Sequence, residues 1–329
     1  MRPILLAAGA AAILILTGCD RPTPVLGPED ASPDTGPDVV VLLPKKGGTA
    51  QLKETAAAID AEMVAIMAGV NESLAAGGEE YRVTQAEWIT ADMAGRSVLF
   101  RDRGNKQVIF HFVPGDARRL WSGSPDGPGD DITWAVDETG DAVPLLGGLT
   151  AAETDAAITR AMATWDSQNC SNLPLYRNPT FGLDVGVLAG SPFIFADVQH
   201  AGFTDLNFFG DILGVTFTFA FVDARGGYTD IDNNGKIDAA FREIYYDPDW
   251  DWALDGDFPN IDLETIAVHE MGHGLSQDHF GQLFMTEKNG KFHFAPRSLM
   301  NAGYTGVQRG LSGSDRGGHC SIWASWPNN

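Results

Sequence analysis

The sharpest alternation of apolar and polar positions lies at Ile212 to Asp223, where Val215, Phe217, Phe219 and Phe221 interleave with Thr216, Thr218 and Ala220. A period of two puts the aromatic set on one face of a β-strand. Lys106 to Val113 alternates in the same way, with Val108, Phe110 and Phe112 against Ile109, His111 and Val113, and His111 there reads as an ordinary strand residue. Shorter apolar runs at Val39 to Leu43, Tyr81 to Ile89, Ser97 to Arg101, Ile132 to Asp137, Phe193 to Val198 and Arg242 to Asp247 predict further strands. Helical spacing takes over at Leu52 to Leu74, through Ile59, Met63, Ile66, Met67 and Val70, and Gly77-Gly78 ends it. Thr150 and Glu153 form a capping box ahead of a helix to about Trp165, with Ala157, Ile158, Ala161 and Trp165 as its inner stripe. A third helix starts at Pro259-Asn260-Ile261-Asp262, with Asn260 or Asp262 as cap. Leu263, Ala267, Met271 and Gly274 line its buried side, and Thr265, His269 and His273 the opposite one. Leu311 to Trp323, with Ser312 as cap, predicts a closing helix that Gly317-Gly318 weakens. Strands and helices in this mixture place the chain in the α+β class.

The Gly-, Pro- and Asp-rich stretch Asp116 to Asp131 serves as a boundary. It separates a small α+β region, 39–125, from a larger domain, 126–329. The first carries no chemistry that can be named and could act as a pro-domain. Met1 to Gly18 reads as a signal segment: Arg2 is its positive end, and Ile4 to Leu16 is apolar but too short to span a bilayer comfortably. Leu16-Thr17-Gly18-Cys19 resembles the lipobox of bacterial lipoproteins. That resemblance implies an acylated Cys19 and an exported protein held in the cell envelope by lipid. Asp20, after the Cys, resembles an inner-membrane retention signal. Asp20 to Asp38 is rich in Pro, Asp, Gly and Thr and reads as a flexible tether.

Charge narrows the partners. Acidic residues number 44 against 22 basic ones in 329 residues, a formal net charge of −22, which argues against nucleic acid and suits a solvated exported monomer. Besides Cys19 the chain has Cys170 and Cys320. In an oxidising compartment they could pair; as two buried free thiols they would not.

The chemistry concentrates in His269-Glu270-Met271-Gly272-His273-Gly274-Leu275-Ser276-Gln277-Asp278-His279. Residues four apart on a helix share a face, so His269 and His273 can offer two imidazoles to one ion. Glu270 lies beside them without needing to ligate. His279 can supply a third nitrogen if the chain turns back. Three ligands and one open position make a catalytic zinc site. Upstream, Asp230, Asp232, Asn234 and Gly235 match the front half of an EF-hand calcium loop, with the Lys236 carbonyl and Asp238 as further ligands. Position twelve is Phe241 where a Glu is expected, and Glu243 comes two residues late, so a calcium site and a solvated acidic turn both fit.

The histidine segment resembles the metzincin zinc peptidases, whose pattern is His-Glu-x-x-His-x-x-Gly-x-x-His. Ser276 stands where that family has Gly, a substitution that costs about 1–2 kcal/mol if the position is left-handed. Arg297-Ser298-Leu299-Met300-Asn301-Ala302-Gly303-Tyr304 resembles the Met-turn, keeping Leu299, Met300 and Tyr304 of the matrixin form but carrying Asn301-Ala302 for its Tyr-Pro pair. Ala-Ile-x-x-Ala-Met-x-x-Trp at 157–165 is similar to the opening helix of matrixin domains. The resemblance implies an α/β sandwich with a mixed twisted sheet, an edge strand near the zinc helix that pairs with extended peptide, and Tyr304 in the substrate-pocket wall. It also implies a zinc-dependent endopeptidase acting on protein or peptide, with a zinc-activated water and Glu270 as general base. Phe280 to Pro296 is then an insertion. A lipid-anchored, non-catalytic protein that keeps the zinc scaffold is the alternative, with Ser276 as its main support and Glu270 against it. Hydrolysis of amide bonds in cell-wall peptides is a further option that the sequence leaves open.

Overall fold

The computed structural model describes residues 40–42, 50–91, 97–99, 109–119, 129–204, 211–256, 259–286 and 291–328. The signal segment, Cys19, the Asp20 to Asp38 tether, most of the 116–131 boundary and parts of the runs at 39–43, 97–101 and 106–113 lie outside these residues.

In chain order the elements are β1 (Val40–Leu42), α1 (Ala50–Gly77), β2 (Tyr81–Thr90), β3 (Ser97–Leu99), β4 (Phe110–His111), β5 (Ile132–Val136), α2 (Ala151–Asp166), β6 (Leu175–Arg177) and β7 (Val198–Phe203). Then come β8 (Ile212–Phe221), β9 (Ile237–Tyr246), β10 (Trp252–Ala253), β11 (Ile261–Asp262), α3 (Leu263–Gly274), β12 (Gln282–Thr286), β13 (Lys291–Ala295) and α4 (Gly313–Trp323). Among the described residues one mixed sheet runs β1-β3-β2-β8-β9-β7-β5-β6, with β4 paired to β9. β5, β6, β7 and β9 are parallel; β8 is antiparallel to both of its neighbours, β9 and β2.

Apolar residues cover both faces of this sheet. On one side α1, through Met63 and Met67, packs on Val215, Phe217 and Phe219 of β8 and Trp88 of β2. On the other, α2 and α3 pack on Leu213, Ile244 and Val198. The alternation in β8 is therefore real, but its threonine face is not wet: Thr216 is buried against Glu270 of α3 and Thr218 against Arg242 of β9. Likewise all twelve residues of α3 are buried, so the His269 and His273 side is no more open to solvent than the side carrying Leu263 and Met271. Thr150 caps α2 and Ser312 caps α4, both through complete capping boxes, and Asp262 rather than Asn260 caps α3.

Several expectations need correcting. The strand expected at Phe193 to Val198 begins only at Val198, because its partners on β5 and β9 lie opposite residues 198–203. The strand expected from Arg242 starts at Ile237, and it is interior, flanked by β7 and β8, not an edge. β2, from the 39–125 region, sits inside the main sheet, ladder-paired to β8 along its length. The insertion after His279 contains a hairpin of β12 and β13. Cys170 and Cys320 are bonded, with Cα atoms 5.6 Å apart, joining the end of α2 to α4 across 150 residues.

Candidate metal centre

α3 carries two of the three imidazoles and its C-terminus aims the third. Asp262 accepts hydrogen bonds from the Thr265 N–H at 3.0 Å and the Thr265 hydroxyl at 2.6 Å, which fixes where the helix begins. The helix ends at Gly274 without bending there. The turn falls on Ser276, at φ 65°, the left-handed conformation that a non-Gly residue adopts at a cost. Arg242, buried on β9, offsets that cost. Its guanidinium donates to the Gly274 carbonyl at 2.7 Å and to the Ser276 hydroxyl at 2.9 Å, so a cation sits at the negative end of the helix. Gly274 serves packing instead: a Cβ there would lie 3.0 Å from Val198.

The chain so turned brings His279 back. His273 Nε2 lies 3.1 Å from His269 Nε2 and 3.2 Å from His279 Nε2. Four nitrogens at ~2.05 Å around a tetrahedral zinc would be about 3.3 Å apart, so the donor set fits such an ion. The tautomers agree. His269 Nδ1 lies 2.7 Å from the Leu299 carbonyl and His273 Nδ1 lies 2.7 Å from the Gln277 carbonyl. A carbonyl only accepts, so each Nδ1 carries the proton and each Nε2 keeps its lone pair for a metal. Burial, with the neighbouring His273, lowers the His269 pKa to about 3; burial lowers that of His273 to about 4.

Glu270 stands between the two helical histidines and is fully buried. Its Oε2 accepts from the Thr216 hydroxyl at 2.6 Å, while Oε1 has no conventional hydrogen bond. Burial raises its pKa well above the ordinary value; the Thr216 hydroxyl and the Ile89 backbone N–H against the carboxylate act the other way. Gly214 leaves room for it, since a Cβ would lie 3.1 Å from Glu270 Cγ.

Met300 is buried beneath the helix, and Gly272 is what admits it: a Cβ on Gly272 would collide with the Met300 sulfur. The turn bearing Met300 hangs on Asp315 of α4, whose carboxylate accepts from the Leu299 and Met300 N–H groups at 3.0 and 3.1 Å and from the Ser298 hydroxyl. Asp315 thereby positions the Leu299 carbonyl that orients His269. Tyr304 is buried; its hydroxyl accepts from the Asp262 N–H at 3.2 Å and donates to the Gly256 carbonyl at 3.1 Å, which braces the start of α3.

Glu87, Thr216, Arg242 and Asp315 escape motif reading because their partners are distant in the chain. A carboxylate inside the apolar run 81–89 was the available hint for Glu87, which approaches His273 Nδ1 at 3.4 Å. For Asp315 the hint was its place three residues after the cap Ser312.

The second cluster is less open to an ion. Oxygens of Asp230, Asp232 and Asp238 lie within 4.8 Å of one another, and Gly235 takes the turn at φ 82°. But Asp238 is buried and paired with Arg118 at 2.7 Å and the Thr229 hydroxyl at 2.6 Å. Phe241, at position twelve, stacks on Phe219 in the core. A calcium ion here would compete with Arg118.

No family model matches the chain, and no curated protein matches its sequence.

Proposed function

We propose that the chain is a zinc-dependent endopeptidase of the metzincin type, nearest the matrixins. The observation that carries this is the meeting of three Nε2 atoms at 3.1 and 3.2 Å beside a carboxylate that ligates nothing. His269, His273 and His279 would hold the metal. Bound zinc would supply Lewis acidity, lowering the pKa of water to near 7 and polarising a peptide carbonyl. Glu270 would take the proton from the attacking water at Oε1 and hand it to the leaving amine, with Thr216 clamping Oε2 so that the carboxylate keeps its aim. Met300 under Gly272, and the left-handed turn at the family's Gly position, support the family reading. A non-catalytic scaffold would have no use for a buried carboxylate with an uncommitted oxygen, whose burial is costly. The lipobox-like Leu16 to Cys19 and the Cys170–Cys320 bond support placement in the cell envelope, where disulfides persist. Calcium at Asp230, Asp232, Asn234, Lys236 and Asp238 remains a secondary proposal.

The test is metal content with casein digestion, with and without chelator, on the wild type and Glu270→Gln. One zinc per chain in both proteins, with proteolysis only in the wild type, is the expected result. Undiminished proteolysis in Glu270→Gln would end the assignment.

A further inference from the structure

α4 rests against the candidate metal centre along one thin stripe. Its buried residues are Asp315, His319 and Trp323, each four apart. Asp315 carries the turn whose Leu299 carbonyl meets His269 Nδ1. Trp323 donates from Nε1 to the Leu275 carbonyl at 2.9 Å, just past the end of α3. Gly318 leaves space for Gln277, since a Cβ there would lie 2.6 Å from Gln277 Oε1, and the Gln277 carbonyl meets His273 Nδ1. One helix therefore backs the groups that orient both His269 and His273. By itself it is a weak helix, because Gly317 and Gly318 stand in its interior.

A covalent bond ties this helix down. Cys320 of α4 is bonded to Cys170, just after α2. α2 is in turn fixed to α3, through the Trp165 Nε1 bond to the Val268 carbonyl at 2.8 Å. Cys170 is exposed and Cys320 half-buried, so a thiolate can reach the bond from solvent. A neighbouring contact survives its opening: Ser171 Oγ lies 2.9 Å from His319 Nε2. Reduction then leaves α4 held by non-covalent contacts alone, and it undocks more often without the rest of the fold opening.

We propose that the Cys170–Cys320 bond is a redox latch on metal retention, opened by a dithiol. One thiolate of the dithiol attacks Cys170 Sγ, and Cys320 leaves as a thiolate. The second thiol then displaces Cys170. Two electrons and two protons pass to the cysteines, and the reductant ends as its own disulfide. This rests on the metal site of the proposed function and not on its peptidase activity.

The experiment loads the full chain with zinc and follows release to a chelating dye, before and after treatment with a trialkylphosphine. The phosphine reduces the bond, ending as its oxide with oxygen from water, and avoids the zinc chelation of a dithiol. Cys170→Ala with Cys320→Ala mimics the open latch with no thiol there to take up metal. Zinc release should be roughly tenfold faster in the reduced protein and in the double variant, the low end of what a lost ligand-orienting group costs. The phosphine should change nothing further in the variant. Amide exchange should quicken at residues 298–304 and 311–323 and stay slow in β8 and β9. Unchanged zinc release from the folded, reduced protein would overturn the proposal. So would exchange that rises equally in β8 and β9, since the bond would then hold the whole fold. If the variant does not fold, the reduced wild type is read by the same two measurements. No zinc in the oxidised wild type would sink the metal reading; zinc held equally in both redox states would sink only the latch.

Discussion

Arg242 donates to the hydroxyl of Ser276 at 2.9 Å, from a strand 34 residues upstream of the turn it stabilises. That bond lets a serine occupy the left-handed position on the way to His279. It also answers the doubt that Ser276 raises in the sequence, since the three imidazoles converge with the serine in place. Ser276→Val keeps the backbone penalty and removes the acceptor, so stability should fall by roughly 2–4 kcal/mol. Ser276→Gly exchanges lost strain for a lost hydrogen bond and should stay within about 1 kcal/mol of the wild type. Urea unfolding of the two variants checks both; equal losses would mean that the left-handed turn at residue 276 carries no strain.

Asp315, from α4, holds the turn whose Leu299 carbonyl orients His269. Asp315→Ala would leave the Leu299 and Met300 amides without their acceptor and free the carbonyl that orients His269. Zinc affinity should fall about 10–100-fold, as for other groups that orient a ligand, with a stability loss of roughly 3 kcal/mol. Competition against a chelating dye measures the first, and an unchanged affinity would show that the Met300 turn holds its place unaided.

Two histidines outside the His269, His273 and His279 cluster predict acid sensitivity. His200 is fully buried with Nδ1 2.8 Å from the Tyr246 hydroxyl, and burial, with Arg177 adding, lowers its pKa to about 3. Burial lowers His319 to about 4. The unfolded chain takes up these protons near pH 6.5. The stabilisation is therefore complete above pH 6.5 and is lost as pH falls through 4 towards 3, by up to ~1.4 kcal/mol per pH unit for each histidine. His200→Gln should remove one such slope. Denaturant titrations between pH 4 and 7 measure it, and an unaltered slope would mean that His200 protonates freely in the folded protein.

The disulfide closes a long loop, Cys170 and Cys320 being 150 positions apart in the chain. Cys320→Ser should cost about 2–5 kcal/mol. Chemical denaturation of this variant and of the reduced wild type should agree; a loss below 1 kcal/mol would mean that α4 is held by its packing alone.

The sequence by itself determined what is local. The period of two in β8, the capping boxes of α2 and α4, and the four-residue spacing of His269 and His273 are each written within one or two turns of chain, so no distant residue is needed to read them. Even the third imidazole of the cluster, His279, was legible as a spacing. Tertiary structure decided the rest. Thr216 and Glu87 are polar positions within strands, and both are buried beside Glu270 and His273, because a second layer of helix covers that face. The place of β2 in the main sheet was hidden for a similar reason. The open edge of β8 must be paired, and the strand that pairs it comes from the other side of the Gly- and Pro-rich stretch. Periodicity records which face of an element is apolar; which element lies against that face depends on contacts between residues far apart in the chain.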